Sequence, residues 1–293
     1  MPADVAFVVI THEARDRALA TLDAVEREWP STDADVVVVD NASTDGTSAA
    51  ITQARPRARV VRNEPGRGFA GGVNQGIALT HASAVCVMTA GTVLKPGSLA
   101  ALVKALDEDP RVAAVAPLIL NPNGSVQRHG LFRPRPLTAA VLLLGLSRLP
   151  MFRAEVERYY GPHEPGPAID VDHVSGACLV FRRAALDDVG ALDSERFFLY
   201  CEDVDWCIRA RERGWRVRFV PSASAMRQKS GSSSGSSVAM IRAYYRSLRN
   251  FYLKHEAPRA SAPIRALWLG GSHVKESMAL LANLLRRRKG LRY

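Results

Sequence analysis

Three carboxylates at positions 202–205 are the part of this sequence best suited to do chemistry. Glu202, Asp203 and Asp205 follow the apolar run Phe197–Tyr200 and begin a segment with helical periodicity that ends at Gly214. Carboxylates in the first turn of a helix interact favourably with its dipole and can cap it. Carboxylates held against aromatic side chains have raised pKa values, because like charge and desolvation disfavour ionisation, and such a group can act as a general base. The cluster therefore fits a helix cap or a catalytic base.

The elements that must position this cluster begin in the N-terminal half, where apolar segments alternate with helical ones. The predicted strands are Val5–Ile10, Val36–Val39, Arg59–Arg62 and Ala84–Met88. The predicted helices are Arg15–Trp29, Thr47–Ala54, Gly72–Thr80 and Ser98–Asp107. Apolar strands without alternation are typical of a parallel sheet covered on both faces. The pattern predicts an α/β fold with a mostly parallel sheet flanked by helices.

Polar residues follow three of these predicted strands. They are Thr11, His12 and Glu13, then Asp40 and Asn41, then Thr89 and Gly91 with Ala90 between them. Ligands of such sheets bind beyond the carboxyl ends of the strands. An aspartate there can accept hydrogen bonds from a uracil or thymine imide and from a ribose, although it can equally cap the next helix. This edge is therefore the predicted ligand site, with nucleotide recognition by Asp40 as its functional interpretation.

The second half of the chain is less regular. The pattern predicts a hairpin with a long loop over 121–136, then a helix and loop over 137–167. It predicts a strand-like segment over Val171–Phe181 and a strand over Trp215–Val220. Residues 227–237 are of low complexity, which predicts flexibility. Helices are predicted over Val238–His255 and Ile264–Lys289.

Charge is distributed unevenly along the 293 residues, whose net charge is +10. Residues 1–205 hold 20 basic and 26 acidic side chains, whereas residues 206–293 hold 19 and 3. Such asymmetry predicts an anionic partner for the C-terminal third, unless the charges form only a solvated helical face. The final helix places leucines on one face and ends in Arg286–Lys289, which suits the surface of an anionic membrane. A nucleic-acid partner is not favoured, because the aromatic residues of this third have the spacing of a helix core.

Other features predict a cytoplasmic location and peripheral attachment to the inner face of the membrane. The start of the chain lacks a basic region typical of a signal peptide, and the longest apolar stretch, Thr138–Leu146, is too short to span a bilayer. The four cysteines have no C-x-x-C spacing and lie in apolar contexts, which predicts reduced core thiols.

Four segments together resemble one enzyme family. Val36–Thr47 (VVVVDNASTDGT) and Gly68–Gly76 (GFAGGVNQG) resemble the nucleotide-binding motifs of the inverting family 2 glycosyltransferases, which have the GT-A fold. Ser175–Arg183 (SGACLVFRR) and the E-D-x-D of positions 202–205 resemble the acceptor-side segment and the base motif of that family. The spacing is similar to the rhamnosyltransferase-like branch, and the similarity covers roughly residues 5–255 in the right order.

The resemblance implies a role for each matching residue. Asp203 is the implied general base, and Glu202 and Asp205 bind the acceptor or hold Asp203 in place. The implied donor-binding residues are Thr11, His12, Glu13, Asp40, Asn41, Arg67, Gly68, Asn74, Thr89 and Gly91. The implied acceptor-binding residues are Ser175, Gly176 and Trp206.

The resemblance also implies partners and an organisation of the chain. The donor is a dTDP- or UDP-sugar, and the acceptor is a sugar, a lipid-linked sugar or a natural product. Residues 1–237 form the predicted transferase domain, with a nucleotide-sugar half over about 1–120 and an acceptor half over about 121–237. Residues 238–293 form a basic helical extension.

Two positions depart from the family pattern for a divalent metal. Gly91 stands where the family has a metal-binding Asp, and Arg227 stands where it usually has a His. Neither replacement can bind Mg²⁺ or Mn²⁺. Three explanations follow: Arg227 and Lys229 replace the metal's charge at the leaving diphosphate, the protein binds a nucleotide-sugar or a partner enzyme without catalysis, or the correspondence of these positions is shifted. We favour the first, because the carboxylate cluster is intact.

Overall fold

The computed structural model describes residues 4–30, 34–228 and 238–288, and a nine-stranded sheet lies at its centre. The strands are β1 (Val5–Thr11), β2 (Val36–Asp40), β3 (Arg59–Arg62), β4 (Ala84–Thr89), β5 (Thr92–Leu94), β6 (Val112–Leu120), β7 (Ile169–Val171), β8 (Cys178–Arg182) and β9 (Arg216–Arg227). Their order across the sheet is β3-β2-β1-β4-β8-β6-β9-β5, and β7 also pairs with β9.

The direction of the strands confirms the predicted fold. Strands β3, β2, β1 and β4 pair in parallel, and β6 pairs in parallel with β9. Strand β8 is antiparallel to both β4 and β6, so the two groups point the same way, and β5 and β7 run against β9. The sheet is therefore mixed but mostly parallel, and the carboxyl ends of β1, β2 and β4 lie at one edge.

Helices cover both faces of this sheet. They are α1 (Arg15–Glu28), α2 (Thr47–Ala54), α3 (Gly68–Ala78), α4 (Ser98–Asp107), α5 (Pro136–Leu144), α6 (Arg153–Tyr160), α7 (Arg183–Val189), α8 (Glu202–Glu212), α9 (Val238–Phe251) and α10 (Ala262–Arg288). On one face Trp206 of α8 packs edge-on against Phe181, with ring centroids 4.7 Å apart. On the other face Leu99 and Leu102 of α4 pack against strand residues such as Phe7.

The N-terminal predictions hold with corrections at element ends and in the strand count. Helix α3 begins at Gly68 rather than at the predicted Gly72. Strands β5 and β6 were not predicted, although all nine residues of β6 are buried. Strand β6 contains three alanines and Pro117, which have low β propensity, so its burial in the sheet comes from tertiary pairing rather than from local preference.

The middle of the chain needed more correction. The predicted helix and loop over 137–167 contains two helices, α5 and α6. The predicted strand-like segment over Val171–Phe181 is split, because β7 ends at Val171 and β8 begins at Cys178. Strand β9 continues through Pro221 to Arg227 instead of ending at Val220. The residues between β7 and β8 are thereby free to form a loop at the site.

The C-terminal segment folds back onto this body. Helix α9 is followed by a π-helical turn over Tyr252–Glu256, and helix α10 then runs to Arg288. The predicted boundary between residues 237 and 238 adjoins undescribed residues and stays a prediction. No helix in the described ranges is both long and apolar enough to cross a membrane. The four cysteines are free as predicted, three of them buried and Cys201 partly exposed.

Candidate active site

The loop before α8 reaches the carboxylate cluster through an unusual backbone path. Tyr200 and Cys201 both have a positive backbone φ, of 71° and 68°, which residues other than glycine rarely adopt. Just before them, the carbonyl of Phe198 accepts a hydrogen bond of 2.8 Å from the amide of Phe69 at the start of α3. A Cβ atom on Gly68 would collide with this carbonyl, so the glycine permits the close approach. The loop therefore joins the Gly68–Gly76 motif to the carboxylate cluster.

Asp203 is fixed by backbone amides and remains partly exposed. Its Oδ2 accepts a hydrogen bond of 2.6 Å from the amide of Gly176, and its Oδ1 accepts one of 2.8 Å from the amide of Val204. A Cβ on Gly176 would lie 3.2 Å from Oδ2 and 3.3 Å from a ring carbon of Phe69. Burial raises the pKa of Asp203, and the two amides and the charge of Arg227 offset this only in part. A carboxylate with a raised pKa and a fixed orientation is suited to take a proton.

Glu202 lies beside Asp203 but is enclosed. Its side chain is 4% exposed, and its Oε2 has no hydrogen-bond partner among the described residues. Burial, and then the charge of Asp203, raise the pKa of Glu202 well above its ordinary value. Ionisation is therefore disfavoured more strongly at Glu202 than at Asp203.

Asp205 has the opposite environment. It is fully buried, and it accepts hydrogen bonds from Arg209 at 2.9 Å, from Lys254 at 2.6 Å and from His255 at 2.7 Å. Burial alone would raise the pKa of Asp205, but the bonds from His255, Lys254 and Arg209 outweigh it and lower the pKa to about 2. This carboxylate anchors the C-terminal segment to α8, and its predicted role in binding the acceptor or in holding Asp203 in place stays a prediction.

Gly91 and Arg227, the two positions that depart from the family pattern, lie side by side. Thr92 pairs with Arg227 in the register of β5 and β9, and the amide of Gln228 donates a hydrogen bond of 3.0 Å to the carbonyl of Gly91. The guanidinium of Arg227 forms no hydrogen bond or ion pair with any described residue. Burial lowers the pKa of Arg227, and the negative charge of Asp203 opposes this shift. A cation that has no hydrogen-bond or ion-pair partner among the described residues thus acts on the candidate base. Lys229 lies outside the described residues.

The loops after β1 and β2 form the opposite part of this edge. His12 Nδ1 lies 2.8 Å from the carbonyl of Asn41, and Glu13 accepts a hydrogen bond of 2.7 Å from the amide of Thr44. The Asn41 side chain bonds the carbonyl of Gly68 at 2.8 Å and the amide of Arg67 at 3.1 Å. These contacts connect the predicted donor-binding segments, whose binding role stays a prediction.

Two further polar atoms lie at this edge near β1 and β4. The hydroxyl of Thr11 is buried without a partner among the described residues, and that of Thr89 lies 3.0 Å from the hydroxyl of Thr92. A buried hydroxyl without a partner is energetically costly, so Thr11 is a candidate for a contact that forms only with ligand bound.

Three side chains predicted to contact ligands are engaged within the protein, and their binding role stays a prediction. The Asp40 carboxylate is fully buried and accepts hydrogen bonds from Ser43 and Ser48, so it shapes the loop rather than facing a base. The Asn74 amide is bonded to the backbone of Leu192 at 2.8 and 2.9 Å. Trp206 is fully buried, and its indole donates to the carbonyl of Gly190 at 2.9 Å. All three side chains contact protein groups that support the loops of the site.

Comparison with known proteins identifies the family. The family model described as "Glycosyl transferase family 2" matches residues 6–190. The chain belongs to glycosyltransferase family 2. A Mycobacterium tuberculosis protein named N-acetylglucosaminyl-diphospho-decaprenol L-rhamnosyltransferase is 31% identical to it over 289 residues, which cover 94% of this chain and 91% of that protein. This family 2 enzyme is therefore rhamnosyltransferase-like, as the sequence predicted.

Solved structures place the family 2 enzyme in the GT-A fold. A mannosyltransferase from Pyrobaculum calidifontis in complex with GDP-Man and Mn²⁺ gives a TM-score of 0.59 at 21% identity, covering 97% of this chain and 74% of that chain. A structure of GalNAc-T7 with UDP, GalNAc and Mn²⁺ gives a TM-score of 0.60 at 14% identity, covering 85% of this chain and 47% of that chain. At these identities the likeness concerns the fold alone, and it confirms the predicted GT-A architecture.

The residues of this family 2 enzyme do not fit a divalent metal at the expected position. Gly91 offers no side chain and Arg227 is a cation, and the described residues contain no group of three His, Cys, Asp or Glu side chains placed to hold a metal ion. Arg227 instead places a positive charge on the strand pair of β5 and β9.

Sequence reasoning missed several residues around this site. Lys254 and His255 hold Asp205, but nothing in a helical pattern indicates which carboxylate a distant cation will contact. His129 was also missed; burial, and then the charges of His163 and His173, lower the pKa of His129 to about 3. Its neutral ring lies close enough to feel the charge of Arg227. Only its place in a turn-rich segment, after a buried strand, could have drawn attention to it.

Proposed function

We propose that this family 2 enzyme is an inverting transferase that moves a sugar, such as the deoxysugar rhamnose, from a nucleoside-diphosphate donor to an acceptor hydroxyl. The observation that carries the proposal is Asp203, which accepts a hydrogen bond of 2.6 Å from the amide of Gly176, has a raised pKa and is acted on by the positive charge of Arg227. A base on one side and a positive charge on the other are what a displacement at a sugar carbon requires.

The reaction would run as a single displacement. Each oxygen of Asp203 accepts one hydrogen bond and retains a further acceptor site. As the proton of the acceptor hydroxyl passes to this carboxylate, the hydroxyl oxygen forms a bond to the anomeric carbon. The bond from that carbon to the diphosphate breaks, and its electron pair leaves with the diphosphate. Attack opposite the leaving group inverts the anomeric configuration.

Arg227 would stabilise the departing diphosphate. Its guanidinium carries several donors that match phosphate oxygens in a bidentate manner. It makes no bond to a described residue, so no bond of that kind has to be broken when the diphosphate arrives. This arrangement supports a transfer that does not depend on a divalent metal.

The metal question has a direct experiment. We expect turnover of dTDP-rhamnose with N-acetylglucosaminyl-diphospho-decaprenol, the acceptor named for the mycobacterial relative, to continue in EDTA. Complete dependence on added Mn²⁺ or Mg²⁺ would refute the metal-independent proposal. A thermal-shift comparison of UDP-, dTDP- and GDP-sugars, with and without metal, identifies the donor.

Replacement of the candidate base separates an enzyme from a binding protein. Asp203→Asn keeps the size of the side chain and removes its basicity, so we expect transfer to fall by roughly 10²–10⁴-fold while donor binding is kept. The control is Asp188→Asn at a carboxylate that is 50% exposed and pairs with Arg213, and we expect it to retain activity. Unchanged transfer by Asp203→Asn would exclude the assigned role and favour a non-catalytic function.

The acceptor would be lipid-linked and the protein would bind the surface of an anionic membrane. An exposed apolar stripe runs along α10, formed by Leu267, Val274, Met278, Leu281 and Leu285. These residues lie within about 60° of one another around a helix of 3.6 residues per turn. The buried residues of α10, Ser272 and Asn283, lie on the side towards the body.

A second element extends this apolar surface. Lys275 of α10 donates a hydrogen bond of 2.9 Å to the carbonyl of Leu142 in α5, which brings the two helices together. Leu144 and Met151, which follow along the chain, are 65% and 79% exposed. Arg148 and Arg153 beside them are exposed and form no ion pair with described residues. Apolar side chains with flanking cations suit an anionic bilayer. The side chains of Arg286–Lys289, predicted to take part, lie outside the described ones.

A further inference from the structure

Helix α9 is fastened along the loop that carries the catalytic motif. Ser247 donates a hydrogen bond of 2.7 Å to the carbonyl of Leu199, and Asn250 donates one of 2.7 Å to the carbonyl of Arg196. Phe251 packs with Phe197 in one small apolar cluster. These contacts set the position of α9 relative to the residues just before the candidate base.

The face of α9 that makes these contacts also carries Tyr244. Positions 244, 247, 251 and 255 have the spacing of residues that share one side of a helix. Beyond Ser247, this face brings Tyr244 against Tyr200, with ring centroids 5.5 Å apart in a T-shaped arrangement. The two aromatic rings are distant in sequence but in contact, and Tyr200 lies three residues before Asp203 in the chain.

Both rings remain open. Tyr200 is 37% exposed and Tyr244 is 43% exposed, although each has an aromatic neighbour. Tyr200 lies in the loop that leads directly into α8, and the first turn of that helix holds Glu202 and Asp203. The open rings therefore share their surroundings with the base.

We propose that Tyr200 and Tyr244 form a platform for the sugar ring of the acceptor. A pyranose presents a face of C–H groups and an edge of hydroxyls, and a tyrosine presents an apolar face and a polar tip. Stacking on this pair holds one hydroxyl of the sugar towards Asp203. The C-terminal segment is then part of the acceptor site and not an appendage. The inference rests on the proposed transfer reaction and adds its acceptor subsite.

The test compares Tyr244→Ala with Tyr244→Phe in the full chain. The probes are dTDP-rhamnose and N-acetylglucosaminyl-diphospho-decaprenol. We expect Tyr244→Ala to raise the KM for the acceptor roughly two- to tenfold, the range for one aromatic contact, and to leave the KM for the donor unchanged. Tyr244→Phe keeps the ring and should restore most of the acceptor affinity. An unchanged acceptor KM, or equal changes in both KM values, would overturn the platform.

A matched control lies on the same helical segment. Leu253 is 49% exposed and lies nine residues after Tyr244, which places it on the opposite side, so Leu253→Ala removes an exposed apolar side chain away from the site. We expect wild-type KM values from it. A loss of acceptor affinity in this variant equal to that of Tyr244→Ala would point to a general defect of the segment and overturn the proposal.

A binding measurement keeps this inference separate from the proposed reaction. If the wild-type protein transfers no sugar, the proposed function fails, but saturation-transfer NMR with methyl N-acetylglucosaminide still tests the platform. We expect the ring protons of this sugar to receive saturation from the wild-type protein and much less from Tyr244→Ala. Absence of binding to the wild-type protein, or equal transfer from both, would overturn the platform.

Discussion

At the scale of residues, two aspartates in one helical turn have pKa values shifted in opposite directions. Burial raises the pKa of Asp203, which is held only by backbone amides and a more distant cation. Three cationic or imidazole side chains outweigh burial at Asp205 and lower its pKa to about 2. The difference between a base and an anchor therefore lies in the partners supplied by other elements.

Arg227 should determine the pH at which kcat/KM falls on the acid side of its pH profile. Its positive charge favours the ionised form of Asp203, so Arg227→Gln should raise the pKa of this aspartate further. The base must be ionised to act, so the acid limb of the kcat/KM profile should move to higher pH. Loss of a donor to the leaving group should also lower kcat by roughly 10²–10³-fold. Arg227→Lys keeps the charge and should keep the limb near its wild-type position; the same limb in both variants would contradict the assignment.

Gly176 should matter through the base it holds. In Gly176→Ala the new Cβ would lie 3.2 Å from Oδ2 of Asp203 and would press on Phe69, so the carboxylate must shift. We expect kcat to fall by at least about tenfold with little change in donor affinity, because misplacement of a reacting group is costly. Gly270→Ala is the control, since its Cβ would meet no atom within 4 Å. Steady-state kinetics that give equal kcat values for both variants would argue against a fixed base.

At the scale of elements, the connection between α8 and α9 is the feature that sequence patterns did not indicate. Lys254 bonds both Asp193 at 2.8 Å and Asp205 at 2.6 Å, and His255 adds a bond to the buried carboxylate. The basic C-terminal segment is thus held to the catalytic motif by specific ion pairs.

Removal of the Asp205 charge should loosen α9. Asp205→Asn leaves Lys254 and Arg209 without a buried counter-charge, and we expect the free energy of unfolding at pH 7 to fall by roughly 2–4 kcal/mol. Hydrogen exchange in α9 should accelerate, because its strongest attachment is lost. The exposed Asp188→Asn change should cost at most about 1 kcal/mol. Denaturant unfolding of both variants checks this, and equal losses would contradict an anchoring role.

The same carboxylate predicts an acid dependence of stability. A folded pKa of about 2, below the unfolded value, gives a contribution that is fully present above the unfolded pKa. It is lost as the pH falls from about 4 towards 2, and its size is about 2 kcal/mol. The difference between the wild-type protein and Asp205→Asn should therefore shrink over this interval in urea titrations. A stability difference that stays constant over this pH interval would contradict the anchoring role of Asp205.

At the scale of the whole molecule, charge and apolar exposure lie in the same part of the chain. Residues 206–293 carry 19 basic and 3 acidic side chains, and the exposed stripe of α10 belongs to this segment. The ligand edge of the sheet is formed mainly by the first half of the chain. The proposed donor site and the proposed membrane surface thus belong mainly to different parts of the chain.

Flotation with vesicles tests the membrane surface. We expect the wild-type protein to bind vesicles containing phosphatidylglycerol more strongly than vesicles of phosphatidylcholine alone, and added salt should weaken this binding. A triple change to glutamine at Leu267, Met278 and Leu281 should abolish most of the binding. Glutamine at Ala266 and Ser277, exposed positions outside the stripe, is the control. Equal flotation of the two variants would contradict the proposed surface.

The sequence by itself determined the architecture and the family. Apolar runs without alternation, such as Val36–Val39, require burial on both faces, and therefore a parallel sheet with helices outside. Four motif segments, with positions 202–205 among them, follow one another in the order typical of the family, so the family could be recognised before any contact was known. Both signals are formed by residues close together in the sequence, so they can be recognised without the tertiary structure.

Only the tertiary structure decided which carboxylate is available. Gly176, which holds Asp203, lies 27 positions away, and His255, which holds Asp205, lies 50 positions away. Burial and hydrogen bonding depend on such distant partners, and no periodicity encodes which cation meets which acid. The same reason applies to Trp206, which is an aromatic residue of the motif in sequence and a core residue in the fold.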